Sequence, residues 1–299
     1  MVKKCPYCKD ENSVSILYKG NGNKDKSISV ECTSHNSQDV EQWKPNLYKC
    51  ELCELVFSEF IGVDFASKYV DVIDQSYIDQ IEFKKKTFNL FFKKIEKHLN
   101  KDIKVLEIGS YYGVLGSLIK PHVKEYVGIE LSNHATNYSR EIFGLDVICE
   151  LPEEYLKKNN KYDLIIMSDV IEHLDRPFEV LSLIEKNLNV GGKLILSTFN
   201  FDSFFSKVMG RRYPWIIPMH KYYFSNITIK NVLKKYNLFL FDIQNDVRLI
   251  SAEYLLQKLN ILFFPIKFIF NYLLKFELIK KSTIKINLYD LKIYYAYKK

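Results

Sequence analysis

Apolar positions along the chain fall into two kinds of pattern. Between residues 77 and 99, Ile78, Ile81, Phe88, Phe91, Phe92, Ile95 and Leu99 recur at helical spacing with Lys and Glu between them, which predicts a helix with one face against a core. Beyond it, short continuous apolar runs alternate with amphipathic ones. Runs such as Lys104-Val105-Leu106-Glu107-Ile108 and Leu164-Ile165-Ile166-Met167 suit strands covered on both faces. Residues 103–108, 125–130, 146–149, 162–168 and 193–198 read as strands, and 113–120, 132–143 and 177–188 as helices. This alternation predicts an α/β, mostly parallel, doubly wound sheet. Residues 238–243 and 288–297 supply two late strands, which brings the sheet to seven.

The first sixty residues have a different texture. A polar stretch over 20–39 separates Cys5-Pro6-Tyr7-Cys8 from Cys50-Glu51-Leu52-Cys53. Each C-x2-C pair places two thiolates on one side of a tight turn, and two pairs make the four ligands of a tetrahedral Zn(II) site. Residues 3–9 and 47–57 read as short hairpins, so a small N-terminal zinc ribbon is expected. A closed four-thiolate site has no open position, which makes this zinc structural rather than catalytic. Cys32 and Cys149 read as ordinary small residues, and His35 would serve as a ligand only if a knuckle failed. The expected organisation is a ribbon over 1–60, a connecting helical segment over 61–100 and the α/β domain over 101–299.

Composition narrows the partners. The 299 residues are 47% hydrophobic and 26% charged, enough for a full α/β core and one small module. The net charge of +7 comes from scattered lysines rather than one dense basic block, so nucleic acid is not the expected partner. The chain runs from Met1 straight into the first knuckle with no apolar leader. A cytoplasmic location with reduced cysteines is therefore expected, and six cysteines fit metal better than disulfides.

The candidate chemistry begins at Val105-Leu106-Glu107-Ile108-Gly109-Ser110-Tyr111-Tyr112-Gly113, an acid at a strand end followed by two glycines and a helix. A dinucleotide fingerprint would require glycine in place of Tyr111 for the approach of a pyrophosphate, so NAD and FAD are disfavoured. About twenty residues on, Glu130 closes the next strand, where an acid accepts bonds from both hydroxyls of a ribose. Over residues 101–238 and the last strand the chain resembles class I S-adenosylmethionine (SAM) dependent methyltransferases, which have a Rossmann-like fold. Glu107, Gly109 and Gly113 match that family's first motif, Glu130 its ribose-binding acid, and Asp163 the acid opening its fourth strand. Asp169-Val170-Ile171-Glu172-His173-Leu174 resembles its D-V-L-E-H-V segment, and Gly191-Gly192-Lys193-Leu194 its G-G turn. The resemblance implies SAM as cofactor, held by Glu107, Gly109, Ser110, Tyr111, Gly113, Glu130, Leu131, Glu150 near the adenine, and Asp169. The pair Tyr111-Tyr112 departs from the small residues usual there.

Methyl transfer to a hydroxyl needs alignment and a base. His173 and His220 are the candidates, since imidazole titrates near neutral pH. His220 stands in Arg212-Tyr213-Pro214-Trp215-Ile216-Ile217-Pro218-Met219-His220-Lys221-Tyr222-Tyr223-Phe224-Ser225, whose aromatics suit a sugar face. This W-x-x-P-x-H-x-x-Y-F-S pattern, with the cysteine knuckles, resembles bacterial methyltransferases of surface-glycan and sugar biosynthesis. The expected activity is thus methylation of a sugar hydroxyl on a nucleotide-linked, lipid-linked or polysaccharide acceptor. The alternatives are an RNA or quinone-like acceptor, or a non-catalytic interaction protein that keeps the fold.

About forty residues separate the last two strand candidates, and Tyr254, Leu255, Leu256, Leu259, Ile261, Leu262, Phe263, Phe264 and their successors to Phe276 leave only a narrow polar stripe. A helical insertion over about 250–284 is expected. Pro265 and three lysines argue against a transmembrane span. Three fates are open to residues 254–276: an interfacial helix on the inner face of the membrane, a homodimer contact, or burial on the protein's own core.

Overall fold

The structure is a computed structural model that describes residues 4–21, 44–252, 256 and 282–299. Its centre is a seven-stranded sheet built from β4 (Lys104–Ile108), β5 (Glu125–Glu130), β6 (Val147–Cys149), β7 (Tyr162–Ser168), β8 (Leu188–Phe199), β10 (Leu238–Asn245) and β13 (Leu291–Lys298), in the order β10-β13-β8-β7-β4-β5-β6. All neighbouring pairs from β8 to β6 are parallel, whereas β13 is antiparallel to both β8 and β10. The doubly wound sheet expected from the alternating pattern is present, with its carboxyl ends along one edge.

The apolar runs are continuous because alternate residues of each strand bury into opposite layers. Leu106, Ile108, Ile165, Met167, Leu194 and Leu196 pack on one side with Val180, Leu181 and Ile184 of α7 (Pro177–Asn187). Val105, Leu164, Ile166 and Ile195 pack on the other with Phe91, Phe92 and Ile95 of α3 (Ile81–Ile95) and Leu115 and Ile119 of α4 (Val114–Ile119). After β5 comes α5 (Asn133–Phe143), whose N-cap Ser132 accepts the Ala135 N–H.

The structure departs from the sequence pattern in four places. The helix expected over 77–99 is broken at Gln80 into α2 (Gln75–Asp79) and α3, because Asp74 caps a separate short helix by accepting the Tyr77 N–H at 2.9 Å. A further turn, α1 (Ala66–Tyr69), precedes it. Residues 6–8 form a turn rather than a hairpin of strands. The helices α6 (Pro152–Leu156) and α8 (Phe204–Met209) are too short to show a period, whereas α9 (Asn226–Lys235) buries Thr228, Ile229, Val232 and Leu233 at helical spacing that the sequence pattern left unread.

The N-terminal region is joined to the main sheet's surroundings by strand pairing. Here β1 (Val14–Tyr18), β2 (Leu47–Cys50), β3 (Val56–Ser58) and β9 (Tyr222–Tyr223) form a four-stranded antiparallel sheet. Three of its strands come from the cysteine region and the fourth from the aromatic stretch after β8. Cys5, Cys50, Leu55 and Phe57 belong to the same buried cluster as Leu106, Tyr222 and Phe224.

At the base of the expected insertion, β11 (Arg248–Ser251) and β12 (Thr283–Ile286) pair antiparallel. The apolar segment 254–276, apart from Leu256, lies outside the described residues, as do Cys32 and His35. Among the described residues no helix is long and apolar enough to cross a membrane.

Candidate functional site

At the carboxyl end of β4 the chain turns sharply. Gly109, Tyr111 and Gly113 all take left-handed φ, at 74°, 47° and 74°. This geometry carries the Gly109 and Ser110 N–H groups back to the Ile129 carbonyl, at 2.8 and 3.0 Å. Gly109 has no room for a side chain, since a Cβ would sit 2.4 Å from Val170 Cγ2. At Gly113 a Cβ would meet Ser139 Oγ and Leu145 Cδ1, each at 2.7 Å. Left-handed strain and overpacking add, so Gly113→Ala is expected to destabilise the fold by about 2–4 kcal/mol. The urea midpoint reads this, and an unchanged midpoint would show that the loop relaxes freely.

The turn wraps Glu130, buried at the end of β5. Its Oε2 accepts the Tyr111 N–H at 2.9 Å and its Oε1 the Ser132 N–H at 2.8 Å. Burial pushes the carboxyl's pKa up, and the backbone donors oppose that shift. Each oxygen keeps a second lone pair, so the group fits a vicinal diol such as a ribose. Leu131, half-buried, follows it, and Ser110 folds inward over Gly128, whose Cβ would lie 2.8 Å from Ser110 Oγ.

A strap from α1 and α2 lies over this turn. Tyr69 stacks on Tyr111 with ring centroids 6.3 Å apart, and Tyr77 packs against both Tyr111 and Tyr112. Asp74 accepts the Tyr111 hydroxyl at 2.9 Å, and its N–H donates to the Tyr112 hydroxyl at 3.0 Å. The two tyrosines that break the expected small-residue pattern are thus the strap's anchorage. Tyr69 and Asp74 were not legible as site residues, because nothing in their local spacing announces a strap.

Other expected cofactor residues are placed differently. Glu107 lies beneath the turn, accepts the Tyr126 hydroxyl, and is pushed up to about 8 by burial. The Glu150 N–H reaches the Glu130 carbonyl, but its carboxylate pairs with Lys158. Asp169 has a left-handed φ of 54° and is held between the Ser197 hydroxyl and Arg248. Arg248, which also pairs with Asp246, is a half-buried cation at this edge that no sequence motif marked.

One strand over, the loop after β7 brings His173 against His220, with ring centroids 4.6 Å apart. Nδ1 of His220 lies 2.7 Å from the Trp215 carbonyl, and Nδ1 of His173 lies 3.3 Å from the Met219 carbonyl. A carbonyl only accepts, so each Nδ1 donates there, and in the neutral form of either ring Nε2 is then the basic nitrogen. His220 is buried and lies flat on Phe199. Glu172 joins the pair, buried and pushed up to about 8 by desolvation and by the neighbouring Asp169. Glu172, His173 and His220 offer three ligand atoms within 4.8 Å of one another, a set that could also hold a divalent cation. Glu172 lay inside the D-V-I-E-H run but was not singled out, since its approach to His220 depends on long-range packing.

The aromatics around His220 are not a ligand face. Tyr222, Tyr223 and Phe224 are each at most 2% exposed, because β9 is paired to β3. Trp215 is half-buried and donates its indole N–H to Asp290.

The structure gathers Cys5, Cys8, Cys50 and Cys53 into one cluster, with all four sulfurs within 4.8 Å. Cys5 and Cys53 are 3.5 Å apart, as are Cys8 and Cys50. Zinc–thiolate bonds of about 2.3 Å at tetrahedral angles separate sulfurs by roughly 3.8 Å, so the cluster fits Zn(II). S–H donation from Cys53 already favours a thiolate at Cys5.

The sheet, the glycine turn and the buried acid together define a doubly wound α/β protein. The profile of a methyltransferase domain family matches residues 79–241, over half of the chain, and the chain belongs to that family. It carries a methyltransferase domain. Over 157 residues it is 30% identical to the mitochondrial ubiquinone biosynthesis O-methyltransferase of Saccharomyces cerevisiae, covering 48% of this chain and 50% of that protein. The chain thus spans about half the length of this curated relative. Among solved structures, a SAM-dependent methyltransferase from Archaeoglobus fulgidus has a TM-score of 0.51 at 18% identity, covering 75% of this chain and all of that one. The YcgJ protein of Bacillus subtilis has a TM-score of 0.50 at 15% identity, covering 71% of this chain and 98% of that one. At these identities the structural likenesses concern the fold alone.

Proposed function

We propose that this chain is an O-methyltransferase acting on the hydroxyl of a quinol-like ring, with His220 and His173 as the proton-accepting pair. The observation that carries the reading is the meeting of two imidazoles whose Nδ1 atoms are tied to carbonyls, on the same sheet edge as the glycine turn and Glu130. The yeast relative's name supports the choice of a quinone-type ring. A sugar hydroxyl is the second reading, favoured by the sequence pattern around His220 and the cysteine knuckles.

When bound, SAM supplies a methyl group already activated for displacement. Glu130 accepts the ribose hydroxyls, and the loop from Gly109 to Gly113, with Ser110, Tyr111 and Leu131, surrounds the nucleoside. Tyr69, Tyr111 and Tyr77 shield that end from water. On methyl transfer from bound SAM to the acceptor oxygen, with S-adenosylhomocysteine as the product, the hydroxyl proton would pass to a histidine Nε2. Glu172, buried beside the pair and pushed up to about 8, is placed to share that proton. Cys5, Cys8, Cys50 and Cys53 hold one structural Zn(II), which the sulfur spacing supports.

A mass-spectrometric assay with SAM, a panel of catechols and quinols, and a panel of nucleotide sugars tests the acceptor. Methylation of the ring hydroxyls is the expected result, whereas methylation of sugars alone would move the acceptor to the second reading. His220→Ala and His173→Ala are each expected to lower turnover by about 10²–10⁴-fold while S-adenosylhomocysteine affinity stays within threefold. Full activity in both variants would remove the histidines from the mechanism.

A further inference from the structure

Lys221 follows His220 and is 1% exposed, an unusual burial for an ammonium. Its Nζ donates to the Val63 carbonyl at 2.7 Å and pairs with Asp175. The ammonium also lies over the Phe65 ring, 5.1 Å from its centroid. Val63 and Phe65 belong to the segment that leaves β3, whereas Asp175 lies two residues beyond His173. One side chain therefore joins the exit of the cysteine region to the loop that bears one histidine, from a position adjacent to the other.

The backbone of the same residue completes the connection. The Ser58 N–H donates to the Lys221 carbonyl at 2.9 Å, and the Lys221 N–H donates to the Glu172 carbonyl at 2.8 Å. The two residues beyond Lys221 pair with β3, Tyr222 opposite Phe57 and Tyr223 opposite Val56. β3 in turn is the second arm of the β2–β3 hairpin, in which Cys50 ends β2 and Cys53 lies in the turn. A continuous path of bonds runs from the cysteine cluster through β3 and Lys221 to both histidines.

We infer that Lys221 is a positioning residue, which clamps His220 against His173 and makes that geometry depend on metal in the cysteine cluster. The inference rests on the histidine pair and the zinc site proposed above. With the hairpin loosened or the ammonium removed, β9 loses its fixed register and His220 its bond to the Trp215 carbonyl. At the cofactor end the path reaches only the strap, through Phe65, whose carbonyl accepts the Tyr69 N–H at 3.1 Å; Glu130 and the glycine turn are held by their own bonds.

The test uses the full chain labelled with ¹⁵N-histidine, with metal content measured first. Long-range ¹⁵N–¹H imidazole spectra are recorded for the zinc-loaded protein, the same protein after chelation, and the variants Lys221→Met and Asp175→Asn. S-adenosylhomocysteine is titrated into each by calorimetry. The expected zinc-loaded spectrum shows the Nδ1–H tautomer at His173 and His220. Lys221→Met and chelation should each replace the His220 pattern with averaged tautomers, and Asp175→Asn should move it the same way by less. His98, His122 and His134 should stay in place, and S-adenosylhomocysteine affinity should remain within threefold. A general loosening would move His98, His122 and His134 together with His173 and His220 and overturn the positioning role, as would an unchanged His220 in folded Lys221→Met protein. Unchanged His220 signals after chelation would overturn the dependence on metal. Purified protein without zinc would refute the zinc site itself, and the Lys221 variants would still decide the clamp.

Discussion

Replacing Glu130 with alanine is expected to lower affinity for S-adenosylhomocysteine by roughly two to three orders of magnitude. Hydrogen bonds to a charged acceptor contribute about 1.5–3 kcal/mol each, and a ribose can make two to this carboxylate. A loss of about 3–4 kcal/mol corresponds to roughly 10²–10³-fold. The same substitution strips the Tyr111 and Ser132 N–H groups of their acceptor, which loosens the turn that surrounds the nucleoside. Glu130→Gln separates the two effects: it retains an acceptor oxygen for the backbone but loses the charge, so an intermediate loss is expected. Calorimetric titration checks both, with circular dichroism to confirm folding. Alanine-variant affinity within threefold of the native protein would show that Glu130 serves the fold rather than the cofactor.

How much of this was legible in the sequence depended on the range of the interactions. The strands from 104 to 168 were readable because each is a continuous apolar run, and that pattern follows directly from burial on both faces. The cysteine cluster was readable because each knuckle is set by a spacing of three residues, although the pairing of β1 with β2 was not. Glu130 was readable from its position at a strand end. Residues whose role depends on distant partners gave no local signal: Asp74 beneath the strap, Glu172 beside His220, Arg248 against Asp169, and Lys221 between two loops. The stretch Tyr222-Tyr223-Phe224 was misleading for the same reason. Aromatics following a strand can line a ligand or pack a strand, and only the pairing with Val56 and Phe57 decides for packing here. Likewise the apolar period from 77 to 99 held through α3 but could not show that Asp74 starts a separate helix.

Cys50→Ser is expected to remove zinc from the protein and lower its stability by roughly 3–5 kcal/mol. Structural zinc contributes about 10–16 kcal/mol in isolated zinc-finger peptides, where it is almost the whole driving force for folding. In this chain Leu47, Leu55 and Phe57 are buried against the main domain, so part of the module's stability comes from packing and survives the metal. Without the metal the sulfurs are held only by S–H···S contacts at 3.5 Å, a far weaker tie than four zinc–thiolate bonds. With Cys50 fully buried, serine also places a hydroxyl where a thiolate had its partners. For a protein of this size each kcal/mol shifts the melting temperature by about 2–4 °C, so a fall of about 6–20 °C is expected. Calorimetry of the variant beside the chelated native protein checks this. Agreement between the two melting temperatures would assign the loss to the metal, whereas a native melting temperature in zinc-free protein would make packing alone sufficient to hold β2 and β3. Because β3 also supplies the pairing edge for β9, the same melting should begin next to His220 rather than at Glu130.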